Sequence, residues 1–158
     1  PATYNEQYVK ALKQRVETSG DFDRGRLAYQ KAATCAACHK INGAGGEIGP
    51  DLTDVGSGRS LELLIESVLW PNRQIREGYM TAKITTKDNQ LHVGYRLSEE
   101  GGVIRLREIA TPKVKKIARA DIKSEEDAGS SMVAGLTAGL TEAELADLIS
   151  YLAGLKKK

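Results

Sequence analysis

The 158-residue chain is short of aromatic residues: one Trp, one Phe and six Tyr, 5% of the whole. That is thin for a core of this size, and a buried flat cofactor would help to fill the gap. No apolar run approaches the ~20 residues that span a bilayer, so no transmembrane segment is expected. No charge dominates either. The formal net charge of +2 makes no electrostatic case for nucleic acid. Catalytic groupings are missing too: there is no Ser-His-Asp set, no nucleophile elbow and no metal-hydrolase motif, so the chain is not expected to be an enzyme by itself. Internal repeats and low-complexity stretches are absent. The first residue is Pro1 rather than Met, from which a removed leader or a larger parent protein is expected. What remains is ordinary: 41% apolar and 28% charged, the balance of a globular domain. Lys156, Lys157 and Lys158 read as a solvated tail.

The chain has only two cysteines, and they stand close together in Cys35-Ala36-Ala37-Cys38-His39. A disulfide here closes so small a loop that it restrains the unfolded chain little. A thioredoxin-type pair belongs at the head of a helix just after a strand, whereas the residues before Cys35 read as helix. A structural zinc site needs four ligands. The chain offers these two thiols with His39 and His92, and His39 adjoins Cys38, which is awkward for a tetrahedral cage. The remaining reading is haem attachment, which C-x-x-C-H signals: two thiols add to two vinyl groups and the next imidazole reaches the iron.

Along the chain, residues 4–18 read as a polar helix with Tyr8, Leu12 and Val16 on its weakly apolar face. A second helix, capped by Asp23 and carrying Gly25, Leu27, Tyr29 and Ala33, runs into the cysteine motif. Gly25 inside it costs ~1 kcal/mol against Ala, and such a glycine often marks close approach of another backbone. Gly43, Gly45, Gly46, Gly49 and Pro50 then read as a loop that lies against a flat ligand. The Lys-Ser/Thr of a phosphate loop is missing. Residues 60–69 predict a short buried helix with Leu61, Leu64, Ile65, Val68 and Leu69 at helical spacing, stopped by Pro71. From Tyr79 to Ile122 the period shortens to two, with turns at residues 87–90 and 99–102, which predicts an antiparallel sheet of three to five strands. Residues 125–139 read as loop. Thr141 and Glu144 form a capping box that opens a last helix with Leu145, Leu148, Ile149, Leu152 and Leu155 on one face.

This order of elements resembles class I cytochromes c: a helix with Gly25 and Tyr29, Cys35-x-x-Cys38-His39, Gly49-Pro50-Asp51-Leu52, a loop methionine, and a terminal helix with Tyr151-Leu152. The stretch from Gly25 to Leu155 is similar to the haem-binding domain at the ends of large dehydrogenase-like proteins of planctomycetes and verrucomicrobia. That group has a strand-rich insertion between a Gly-Tyr pair (here Gly78-Tyr79) and a Ser-Met loop (here Ser131-Met132). The resemblance implies a mainly α fold, a class I cytochrome c-like helical haem fold with an inserted small antiparallel β-sheet. It divides the chain into an N-terminal helical extension over 1–20 and a haem domain over 21–158, interrupted by a β-rich insertion over 79–124.

It also implies roles. Cys35 and Cys38 hold one covalent haem c through thioethers, and His39 is the proximal iron ligand. The Pro50 carbonyl accepts a hydrogen bond from the other ring nitrogen of His39, which fixes and activates the imidazole. Leu52 packs on the porphyrin, and Gly25 lets the first haem helix cross the last near Tyr151. Met132 is the distal ligand, a thioether that favours the ferrous state. Met80, His92 and an open or otherwise liganded iron are the alternatives for that position. Val133 stands where the group usually has Pro, which makes the loop less rigid and loss of the ligand easier. Trp70 or Arg73 could reach a haem propionate, although a core Trp and a solvated Arg are the simpler readings.

The implied function is one-electron transfer in the periplasm or elsewhere outside the cytoplasm, with a dehydrogenase or terminal acceptor as redox partner. Two alternatives accompany it: a gas-binding or sensing haem domain with a labile distal ligand, and a haem-bearing docking module of a larger dehydrogenase. Unpaired strand edges in the insertion raise the further option of a homodimer.

Overall fold

The structure, a computed structural model, describes every residue except Ala33 and Pro112; the place of Ala33 in the second predicted helix lies outside the described residues. The chain divides into two units. One is Pro1–Gln74 with Met132–Lys158, and the other is Ile75–Ser131.

The first unit is helical. Helix α1, Glu6–Ser19, starts where the Asn5 side chain accepts from the Tyr8 amide, and it buries Val9, Leu12 and Val16. Helix α2, Phe22–Lys31, is capped by Asp21, two residues before the expected Asp23. A single turn, α3, covers Thr34–Cys38. Helix α4, Leu61–Leu69, opens on the Ser60 cap and buries Leu64 and Ile65. Helix α5, Glu142–Gly154, begins with the predicted capping box of Thr141 and Glu144. Its Leu145, Leu148, Ile149 and Leu152 form the centre of a core that also takes in Ala28, Tyr29, Ile65 and the α1 stripe. Burying each such aliphatic side chain contributes about 1.5–3 kcal/mol. The α2–α5 crossing depends on Gly25, where a Cβ would stand 1.9 Å from the Asp147 carbonyl oxygen and 2.6 Å from the Tyr151 Cβ. The crossing at Gly25 and Tyr151 is therefore as expected. Helix α1 is joined to this core as well, with Tyr8 donating to Glu142 at 2.7 Å and Lys13 to Glu62 at 2.6 Å.

The second unit is one antiparallel sheet. After a two-stranded hairpin in the first unit (β1, Lys40–Ile41; β2, Ala44–Gly45), the strands here are β3 (Met80–Thr86), β4 (Leu91–Glu100), β5 (Val103–Glu108), β6 (Val114–Ala118) and β7 (Ile122–Ser130). They lie in the order β6-β5-β4-β3-β7. Strands β6 and β7 are thus opposite edges joined only by the 3-10 turn Arg119–Asp121. Four strand spacings of a flat sheet come to roughly 19 Å. The link from Ala118 to Ile122 reaches at most about 14 Å, so the sheet must curl. Ala82, Ile84, Ile104, Leu106 and Ile117 line its inner face, with Ile122 packed against them. Arg119 ties the rim by binding Glu125 at 2.9 Å and Glu99 through both carboxylate oxygens.

The mainly α expectation is corrected here. Of the described residues 37% are helical and 26% are strand, with a five-stranded sheet, which makes this a mixed α and β protein. Two causes enlarge the sheet. Strand β4 runs ten residues, through the acidic pair taken for a turn. Strand β7 takes up residues 122–130, much of which reads as loop because Lys123, Ser124, Glu125, Glu126 and Asp127 have no apolar alternation. Their strand state comes from backbone pairing with β3 and from Arg96, which binds Glu125 and Asp127 at 2.8 Å each.

Candidate functional site

The cysteine segment is a tight turn fixed by its own backbone. The Cys35 amide donates to Ala32 and the His39 amide to Cys35, both at 2.9 Å. Asn42 and Gly43, at φ 49° and 82°, then turn the chain so that Lys40 pairs with Gly45 and Ile41 with Ala44. This hairpin lies inside the stretch read as loop. Its signal was the Asn-Gly dipeptide, which supplies the two left-handed positions of such a turn. The returning strand lies along α3, with the Gly46 amide on the Ala36 carbonyl at 2.9 Å and the Gly49 amide on Cys38 at 2.7 Å.

The hairpin brings Pro50 to His39. The His39 Nδ1–H donates to the Pro50 carbonyl at 2.8 Å. A carbonyl only accepts, so this bond fixes the tautomer and leaves Nε2 as a lone-pair donor. Among the described residues Nε2 has no partner. Only glycine fits at position 49, because a Cβ there would stand 2.5 Å from His39 Cε1. Pro50 is held from its far side, where the Asp51 carboxylate accepts from the Thr53 amide, Thr53 Oγ1 accepts from Asn42, and the Leu52 amide donates to Lys40, all at 2.8 Å. The Thr53 contacts also hold the Asp51 carboxyl below its ordinary range.

Both cysteines are free and half-buried. Burial pushes the Cys35 thiol up, the reverse of the lowered value that a thioredoxin-type nucleophile needs. Cys35 and Leu52 are both partly buried and pack against the helical core. Tyr29, a member of that core, has a buried hydroxyl with no hydrogen-bond partner among the described residues.

Met132 follows β7 in the chain, is half-buried and belongs to the same unit as His39. Met80 opens β3 in the sheet unit, 39% exposed, on a rung with Ser130. His92 is buried in the sheet, with Nδ1 at 3.4 Å from Glu108. Trp70 is buried and its indole N–H donates to the Pro1 carbonyl at 3.1 Å. Arg73 binds Glu66 at 3.0 Å and stacks 3.4 Å above the Tyr4 ring. Trp70 is thus part of the helical core, and Arg73 is exposed but engaged by Glu66 and Tyr4.

No curated protein matches the chain. The family model described as Cytochrome c matches residues 22–156, which leaves only α1 and the first few residues outside it at the N-terminal side. The residues fit the family's covalently bound haem c. Two free thiols adjoin an imidazole with one nitrogen tied and the other open. A glycine stands where any side chain would strike that imidazole, and in the core on which Cys35 packs a buried hydroxyl lacks a partner among the described residues. Among the described residues no helix is long and apolar enough to cross a membrane. With the match covering well over half of its length, the chain belongs to the cytochrome c family, which carries haem iron on covalent bonds and exchanges electrons with a redox partner protein.

Proposed function

We propose that this chain is a one-electron carrier holding a single haem c, with Cys35 and Cys38 as its thioether anchors, His39 as proximal ligand and Met132 as distal ligand. The observation that carries the reading is the His39–Pro50 hydrogen bond. It turns the imidazole into an Nε2 donor of fixed orientation, directly after two thiols that no other group uses. Haem iron, when bound, supplies the one-electron chemistry. The chain's own residues do the rest. Cys35 and Cys38 prevent dissociation, Pro50 keeps the imidazole from rotating, and Leu52 excludes water from the packed side. Met132 is supported by its position in the helical unit, whereas His92 is engaged inside the sheet.

The domain reading is that residues 21–158 are the haem domain and 79–124 its insertion, as in the planctomycete and verrucomicrobial group. Cytochrome c domains are typically extracytoplasmic, which supports a periplasmic or similar location. For a dimer through the insertion the edges offer little. Strand β6 carries Lys115 and Lys116, and β7 carries Glu125, Glu126 and Asp127, the kind of charge that discourages edge pairing.

The test is an intact mass and absorption spectrum of protein made in a host that matures c-type cytochromes. One haem's added mass, retained in acid, is expected. Colourless protein at the polypeptide mass would overturn the reading.

A further inference from the structure

Tyr29 carries the one buried side-chain polar atom without a hydrogen-bond partner among the described residues. An unpaired hydroxyl of this kind costs about 1–3 kcal/mol, and Phe would fill the same space without that cost. The ring cannot withdraw. It is 7% exposed, tilted against Tyr151 at a centroid distance of 5.7 Å, and sits one helical turn after the close crossing at Gly25. The attachment segment follows Tyr29 in the chain, α3 coming directly after α2. Cys35 packs on the same core as Tyr29, and burial pushes the Tyr29 phenol up to about 12, with Cys35, Tyr151 and Cys38 adding to the rise in that order. Tyr151 leaves it unpaired. Of the groups around it, only the two sulfurs change their bonding when the cofactor is attached.

We propose that the Tyr29 hydroxyl donates a hydrogen bond to the sulfur-bearing edge of the haem, at the Cys35 thioether, and so raises the reduction potential. This rests on the haem reading above. A thioether sulfur keeps its lone pairs and accepts weakly. An O–H dipole with its positive end toward the porphyrin edge favours the form with one more electron, the same lever that hydrogen bonds to ligand sulfurs exert at other iron centres. Tyr29 is a tuning residue and not a ligand.

The test is Tyr29→Phe in the mature haem protein, read by potentiometric titration and thermal melting. The substitution is expected to lower the ferrous-to-ferric ratio at a fixed poise by roughly two- to tenfold, with the haem still acid-stable and the melting temperature not raised. An unchanged or higher potential, together with a higher melting temperature, would mean that the hydroxyl is idle, and would overturn the inference while leaving the haem reading intact. Wild-type protein without acid-stable haem would sink that reading and this inference with it. A measurement on the wild type guards against a variant that fails to mature: redox-difference infrared spectra with ring-deuterated tyrosine. A tyrosine band that changes with iron oxidation state is expected, and its absence overturns the inference.

Discussion

Arg24 and Asp147 clamp α2 to α5 through two hydrogen bonds, Nε to Oδ2 at 2.8 Å and Nη2 to Oδ1 at 3.1 Å, while Oδ1 also accepts from the Asp21 amide at 2.8 Å. Asp147 is 5% exposed, and its carboxylate holds both the charged partner and the start of α2. Asp147→Ala leaves the Asp21 amide unpaired and is expected to cost about 1–3 kcal/mol. Arg24→Ala removes a side chain 61% exposed and leaves the Asp21 amide on the carboxylate, so it should cost less than Asp147→Ala. Chemical denaturation of the two variants reads the difference, and equal losses would contradict it.

Gly25→Ala puts a methyl group into the Asp147 carbonyl. Backbone cannot give way as a flexible side chain does, so a loss of about 1–3 kcal/mol or more is expected. Gly58→Ala is the control, since a Cβ there meets nothing within 4 Å; it should melt as the wild type does.

Gly49→Ala strikes the His39 ring and not the core. The expected result is poor maturation: a lower ratio of haem absorbance to protein, and a changed spectrum in what does mature. Normal haem content with an unchanged spectrum would argue that the imidazole tolerates displacement.

Met132→Ala is expected to abolish the long-wavelength ferric band that accompanies methionine ligation and to let carbon monoxide bind the reduced protein. Met80→Ala is expected to do neither. If the Met132 variant kept the band, the distal assignment would fall. Carbon monoxide binding by the unaltered protein would favour the gas-binding alternative.

Arg119 links the rim of the sheet to acid stability. Its hydrogen bonds hold Glu99 and Glu125 below their ordinary value of 4.5. The sign follows from linkage: a lowered folded-state pKa means stability that is fully present above 4.5 and is lost as pH falls through the lowered value. Arg119→Gln should therefore lower stability near neutral pH and flatten its decline on acidification. Parallel pH dependences of the denaturation midpoint in both proteins would show that the rim contributes nothing.

The helical unit was largely legible in the sequence. The stripe of α5 and its cap, the apolar spacing of α4, and Gly25 as a point of close approach all report local requirements, and local requirements leave a residue-level pattern. In α1 the pattern placed Tyr8, Leu12 and Val16 on the packed face, where Leu12 and Val16 are buried and Tyr8 packs partly buried against the core, but it missed the buried Val9. Strand β7 was not legible, because pairing with β3 and ion pairs to Arg96 hold it, and both come from strands distant in sequence. The mainly α class followed from that gap. At the site, the cysteine motif and Pro50 stand out in the sequence. The missing partner of Tyr29 does not, since a buried hydroxyl is defined by what surrounds it.

Met80 and Ser130 share a rung of the β3–β7 ladder. The backbone therefore comes back to within about 5 Å of where the sheet starts. A segment with its two ends so close behaves as a cassette: it can be gained, lost or exchanged at one point of a host chain without stretching the flanking polypeptide. Replacing residues 80–130 by a few glycines is, in backbone distance, a small repair.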